Sequence, residues 1–220
     1  VERIGSAAAS AQVTGLGWRC VLGALRTTVR VASLAEGVEV AGRAAAATGG
    51  YPGLRADVRH DRVGLTLQDP GVADLTGRDV AAARAVAGLG LRLDPLATGT
   101  RSVQGVEVAI DALDAAAIRP FWRAVLGYAA EPGRDGPDDA LVDPDGQGPA
   151  VWFQRMAEPR PQRNRVHLDV AVPHDEADRR VAAALAAGGR LVSDAHAPRF
   201  WVLADAEGNE VCVTTWQGRD

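Results

Sequence analysis

Between residues 106 and 128 the chain reads VEVAIDALDAAAIRPFWRAVLGY, and between 166 and 189 it reads VHLDVAVPHDEADRRVAAALAAGG. Each stretch opens on a short alternating run rich in β-branched residues, which predicts a half-buried strand. An acidic residue follows, Asp114 in one and Asp175 in the other, placed to cap a helix. In the first stretch Ile118, Phe121, Trp122, Val125 and Leu126 then recur at helical spacing, which predicts one apolar stripe. The stripes stop at Gly127 and Gly188, the usual helix terminator. Pro120 predicts a bend or a delayed start in the first helix. Behind each helix come two apolar runs joined by an Asp-rich, Gly-bearing turn. They are residues 140–142 and 150–154 around Asp143-Pro-Asp-Gly, and 200–204 and 210–214 around Asp205-Ala-Glu-Gly. Such turns are hairpin signals. The unit is strand, helix, then a meander of strands, present twice.

Residues 1–97 follow a different rhythm. Residues 18–23 and 25–31 read as strands, and 34–47 as a helix with Leu34, Val38, Val40, Ala41 and Ala45 on its apolar face. The Gly- and Pro-rich residues 49–53 break it. Residues 54–58 and 63–67 predict a hairpin through His60 and Asp61, and Thr76 caps a last helix over 77–89 with Asp79 in its first turn. The order β-β-α-β-β-α predicts an antiparallel sheet with its helices on one face. Residues 98–104 read as a linker, and 105–220 as a second domain. The fold class is therefore α+β.

With 220 residues and 47% hydrophobic positions, the chain can fill two small cores. A net charge of −4, evenly spread, gives no basis for binding nucleic acid. All 24 basic residues are Arg, which fits the codon bias of a GC-rich bacterial genome. The two cysteines, Cys20 and Cys212, form neither a disulfide framework nor a CxxC metal pair. No run predicts a membrane span or a signal core, so the expected location is the cytoplasm.

The Gly17-Trp18 start, the helix ending before Tyr51-Pro52, the run Val63-Gly-Leu-Thr-Leu67 and Leu75-Thr-Gly-Arg-Asp79 resemble the pterin-4a-carbinolamine dehydratase family over most of residues 12–92. The resemblance implies an active site that opens on His-His-Pro. Here those positions read Gly50-Tyr51-Pro52, and a further family histidine falls on Gln68. Dehydration of a carbinolamine needs groups that titrate near neutrality, and none of these side chains does. The expectation is a degenerate module without dehydratase activity, serving as a scaffold or as a dimerisation unit of a homodimer.

Residues 121–127 (FWRAVLG), 166–170 (VHLDV) and 205–213 (DAEGNEVCV), set in the doubled unit, resemble the vicinal-oxygen-chelate superfamily of glyoxalase and bleomycin-resistance-like proteins. The resemblance covers residues 106–215. It implies paired βαβββ modules whose sheet curls around a cleft, with a single divalent ion in the metal-using members. Matched by motif, the first-strand metal positions are Glu107 and His167. Strand alternation agrees, since each lies out of phase with its apolar neighbours Val106 and Val108, or Val166 and Leu168. The last-strand position of module two falls on Cys212, where metal-using members carry Glu. Module one offers only Ala150, Trp152 and Gln154, so the ligand set is incomplete. As metal-independent alternatives, Cys212 is a small buried hydrophobe, and His167 a hydrogen-bonded partner of Glu107 or Asp169.

Trp152 and Gln154 on one side, with Asp169, Glu210 and Cys212 on the other, suggest the lining of a small-molecule cleft. Within it Glu107 or His167 is the expected general base or metal ligand. Phe121 and Trp122 are expected in the helix core, Trp201 on either face of its strand, and His174 and His196 in solvated turns. The leading reading is a glyoxalase-like protein that binds a small organic molecule. Transformation by lyase, isomerase or dioxygenase-type chemistry stays open beside it. The alternative is a metal-free, resistance-type binding protein, and an active pterin dehydratase ranks below both.

Overall fold

Alternation in residues 19–67 resolves into one antiparallel sheet built from β1 (Arg19–Val21), β2 (Ala24–Arg30), β3 (Leu54–Val58) and β4 (Arg62–Leu67), in the order β1-β2-β4-β3. Three helices, α1 (Ser6–Val13), α2 (Leu34–Ala47) and α3 (Gly77–Ala87), share one core with it. That core is centred on Trp18, Leu25, Leu65, Leu67, Leu75 and Val86, all essentially inaccessible. The computed structural model describes residues 2–72, 74–94, 103–160, 162 and 166–218. Within it the chain separates into two compact units, Val1–Gly105 and Val106–Asp220. Most of the expected linker, residues 98–102, lies outside the described residues.

Local chemistry accounts for the helix limits. Ser33 caps α2 by accepting from the Glu36 amide, and Glu36 in turn accepts from the Ala32 amide. Thr76 and Asp79 form a reciprocal capping box at the start of α3. The expected apolar face of α2 is corrected. Leu34 and Val38 are exposed, and the helix buries Gly37, Val40 and Ala44 instead. Gly37 sets this rotation: a Cβ there would stand 2.8 Å from Val58 Cγ1, so only glycine lets the helix lie this close to the sheet. The alanine-rich α1 has no stripe to announce it, and only Ala9 and Val13 are buried.

The doubled pattern becomes two four-stranded mixed sheets with no closed barrel. The first holds β5 (Glu107–Ala112), β6 (Ala129–Ala130), β7 (Leu141–Val142) and β8 (Ala150–Arg155), in the order β5-β8-β7-β6, with α4 (Ala115–Leu126) after β5. The second holds β9 (Asp169–Ala171), β10 (Arg190–His196), β11 (Phe200–Ala204) and β12 (Glu210–Thr214), in the order β9-β12-β11-β10, with α5 (Ala177–Ala186) after β9. In each, the first and last strands run parallel and the others antiparallel. Strands β6 and β10 complete meanders that the sequence showed only in part.

Asp114 caps α4 by accepting from the Ala117 amide, and Gly127 ends it at φ 71°. Pro120 neither delays the helix nor ends it, since the cap and the buried stripe Ile118, Phe121, Trp122 and Val125 span it. Asp175 is not the cap of α5. That helix starts behind Glu176, whose carboxylate binds Arg179 rather than a helix amide. Helix-facing side chains from both sheets and both helices form one core. Trp201 is resolved to this side, packed against the core, while Val202 and Ala204 are buried on the other phase of β11. Val106 and Val166 are corrected: both precede their strands and are exposed, at 61% and 74%.

Candidate functional site

Each sheet of the C-terminal unit turns one face to its helix, and the opposite face carries the candidate residues. On the first sheet, parallel pairing sets Glu107 beside Ala150, Ala109 beside Trp152 and Asp111 beside Gln154. Side-chain alternation puts Val108, Ile110, Val151 and Phe153 on the helix side, so Glu107, Trp152 and Gln154 share the far face. All three are exposed, Trp152 at 37%. Asp111, half-buried on the same face, holds Arg160 Nη1 at 3.0 Å. The other arginines of the run ending at Arg165 lie outside the described residues.

On the second sheet β9 and β12 pair in parallel, with Asp169 beside Cys212 and Ala171 beside Thr214. The Cys212 amide donates to the Leu168 carbonyl, which extends the ladder back toward His167. A narrow pocket opens here between His167 and Leu168 on one side and Glu210 and Cys212 on the other. Farther along the same two chains a wider groove runs past Asp169, Ala171, Pro173 and Thr214 to Trp216. Trp216 is 60% exposed, and the His174 ring meets it edge-on at 5.4 Å between centroids. His196, expected in a turn, instead ends β10 with its ring 4.9 Å from Phe200.

The structure thus gathers Asp169, Glu210 and Cys212 on one sheet, with His167 just ahead of β9, and Glu107, Trp152 and Gln154 on the other. The pocket and the groove on β9 and β12 are lined by the second module alone. His167 is exposed and makes no hydrogen bond to Glu107 or Asp169, so the pairing considered for it is not formed. Cys212 is half-buried rather than a closed core residue. Among the described residues no three His, Cys, Asp or Glu side chains converge as a metal-ligand group. Trp216 was missed in the sequence because it stands beyond the last alternating run, where no periodicity marks it.

The turns that hold these strands are tightly bonded. Asp143 accepts from the backbone amides of Asp145, Gln147 and Gly148. Burial pushes its carboxyl upward, but the three amides outweigh that and hold it below its ordinary value. Tyr128 beside it is raised, first by burial and then by the Asp143 charge. Asp205 is fully buried and accepts from Trp122 Nε1 at 2.9 Å, from the amides of Glu207 and Asn209, and from Asn209 Nδ2. Glu207 then accepts from the Leu113 and Asp114 amides, both at 2.7 Å. The second module's turn is in this way fastened to the first module's helix start.

Among the described residues no helix is long and apolar enough to cross a membrane. A comparison with curated proteins gave no match. Solved structures similar to this chain include a glyoxalase/bleomycin resistance protein/dioxygenase family enzyme from Burkholderia phytofirmans PsJN. It is 21% identical, with 50% of this chain and 95% of that one covered and a TM-score of 0.40. A glyoxalase/bleomycin resistance protein from Albidiferax ferrireducens T118 is 20% identical over 50% and 95%, with a TM-score of 0.39. The fosfomycin resistance protein FosX from Mesorhizobium loti is 12% identical over 51% and 91%, with a TM-score of 0.40. A family model described as "Glyoxalase-like domain" matches residues 107–214, which are the doubled strand-helix-meander, β5 to β12. Residues 107–214 of this chain are therefore similar to glyoxalase-like domains.

Proposed function

We propose that the C-terminal unit binds a small organic molecule along the open face of β9 and β12, with His167 as its proton-transferring group. The observation that carries this reading is the continuity of the strip. Asp169, Glu210 and Cys212 stand on the adjoining parallel strands β9 and β12, His167 lies two residues ahead of β9 against the same pocket, and the same segments lead into a groove floored by Ala171 and Thr214 and ended by Trp216. An apolar floor with a few polar groups at one end orients a ligand while desolvating its hydrocarbon part. An exposed imidazole just ahead of a strand, beside carboxylates, can take a proton from a bound molecule and return it. The similarity of residues 107–214 to glyoxalase-like domains supports small-molecule chemistry without naming the substrate.

Tryptophan fluorescence tests the binding half of this reading. A panel of small organic acids, amines and aromatics should contain compounds that quench the wild type saturably, and Trp216→Phe should remove most of that quench. A quench that Trp216→Phe leaves whole would place the ligand elsewhere. For any compound that is turned over, His167→Ala should lower kcat by about 100-fold or more, with far-UV circular dichroism unchanged. Undiminished turnover would remove His167 from the chemistry.

A second reading for the same strip is a metal-free binding protein, which accords with there being no converging ligand group among the described residues. Titrating zinc or manganese into the chain tests this second reading. The second reading expects no thermal shift in the wild type, and a shift abolished in His167→Ala contradicts it.

For the N-terminal unit we propose a scaffold without dehydratase chemistry. Gly50 has no side chain, Tyr51 is bonded to Asp69 and Asp79, and Gln68 is held between Arg55 and the Gly23 carbonyl. A homodimer formed through this unit accompanies that proposal, and sedimentation of the full chain should then give twice the chain mass.

A further inference from the structure

The sheet of the N-terminal unit buries one face under its helices, and the other carries a row of like charges. Cross-strand register sets Arg19 opposite Arg26, Arg26 opposite Thr66, and Thr66 opposite Arg55. Adjacent strands lie about 4.8 Å apart, so guanidinium groups on β2 and β3 can reach toward each other over Thr66. Like charges in such a row repel and destabilise the sheet unless something opposite in sign sits among them.

Among the described residues, the nearby carboxylates are engaged elsewhere. Asp57, on the same face of β3, is taken by Arg59 Nε at 2.9 Å, and Asp61 is taken by Arg62 at 2.9 Å. Asp94 lies 4.0 Å from Arg30, four residues along β2 from Arg26. Arg19 spends Nη1 on the carbonyls of Thr14 and Trp18. Arg55 is steadied by donating Nη2 to Gln68 Oε1 at 3.1 Å. Arg26 is half-buried and makes no hydrogen bond or ion pair, and its Nε is one of only two buried side-chain nitrogens without a partner among the described residues. The other, Trp18 Nε1, is uncharged and belongs to the core. Burial, and then the Arg55 charge, lower the Arg26 pKa, as expected of a cation lacking its counter-ion.

We infer that Arg26 and Arg55, with the Thr66 hydroxyl between them and Arg19 at the flank, form a binding site for an oxyanion, specifically a phosphate group. Guanidinium forks match phosphate oxygens in pairs, and a half-buried arginine strengthens that match by excluding water. The site is separate from the β9–β12 strip and does not depend on the function proposed there.

Thermal unfolding of the full chain in a low-salt buffer tests the site, with inorganic phosphate titrated against sodium chloride at equal ionic strength. Phosphate should raise Tm beyond chloride by about 2 °C or more at saturating, millimolar concentration. Arg26→Gln should lose that phosphate-specific rise while melting, in chloride, no lower than the wild type, because an uncompensated charge has been removed. Arg55→Gln, an exposed position, should weaken phosphate binding by about tenfold and provides the second variant if Arg26→Gln folds poorly. Arg62→Gln removes an equal charge from the same sheet but one already paired with Asp61, and should keep the full rise. Phenyl phosphate in place of the inorganic ion distinguishes a phosphorylated small molecule, which would bind at least as well, from free phosphate, which would bind alone. The proposal is overturned if phosphate acts no differently from chloride on the wild type, if both Arg26→Gln and Arg55→Gln keep the rise, or if Arg62→Gln loses it equally.

Discussion

Asp205→Ala should destabilise the C-terminal unit by about 3–5 kcal/mol, the largest effect expected of any single polar substitution in this chain. Asp205 has no solvent exposure, and four donors end on it. Alanine leaves the Trp122 indole N–H, itself in a side chain only 1% exposed, without an acceptor or access to water. It also frees the turn amides of Glu207 and Asn209, and with them the turn that aims Glu207 at the start of α4. Asp205→Asn keeps the shape and one acceptor oxygen but loses charge-assisted bonds, so about 1–2 kcal/mol is expected there. Urea unfolding followed by tryptophan fluorescence reports this unit well, since four of the five tryptophans (122, 152, 201 and 216) belong to it. A midpoint for Asp205→Ala within error of the wild type would show that the buried bonds contribute nothing net.

The same residue marks the limit of what the sequence shows. Asp205-Ala-Glu-Gly is legible as a hairpin turn because turn chemistry is local, and that reading places β11 and β12 correctly. Its bond to Trp122 crosses 83 positions, and no periodicity encodes it. The helices and strands carried by spacing and caps, such as α2 between Ser33 and the Gly49-Gly50 break, are legible for the same local reason. Which face of α2 turns inward is not, because hydrophobicity favours Leu34 and Val38 while close packing at Gly37 decides the rotation.

The candidate site divides along the same line. Alternation correctly puts Glu107, Trp152 and Gln154 on one face, and Asp169, Glu210 and Cys212 on another. It says nothing of whether those faces meet, and the strands form two sheets rather than a closed barrel. The Arg19–Arg26–Arg55 row is likewise invisible until register is known, since its members sit on three strands separated by a helix and a turn.

In the N-terminal unit the expected counterpart to Asp205 is Asp79, whose replacement by alanine should cost about 3 kcal/mol. Its carboxylate accepts from the Thr76 amide and hydroxyl, both at 2.8 Å, and from the Tyr51 hydroxyl at 3.0 Å, and neither Asp79 nor Thr76 has any exposure. Alanine removes half the capping box of α3, strands the buried Thr76 hydroxyl and leaves the Tyr51 hydroxyl only its longer bond to Asp69. Hydrogen exchange in the full chain should show α3 amides losing about 100-fold in protection, and retained protection would contradict the assignment. Tyr51 adds a dependence on pH. Burial first, then the charge and hydrogen bond of Asp79, raise its pKa well above the ordinary tyrosine value, with Asp69 adding to the effect. The folded state therefore holds a proton that the unfolded chain releases near pH 10. The stabilisation is fully present below that pH and is lost as pH rises through and beyond it. Tyr51→Phe keeps the ring under Arg78, whose guanidinium lies 4.8 Å from the ring centroid, but removes the titrating group. Its unfolding midpoint should fall below wild type at neutral pH, and the gap should narrow steadily above pH 10. A gap that stays constant across that range would show that the Tyr51 hydroxyl titrates alike in the folded and unfolded chains.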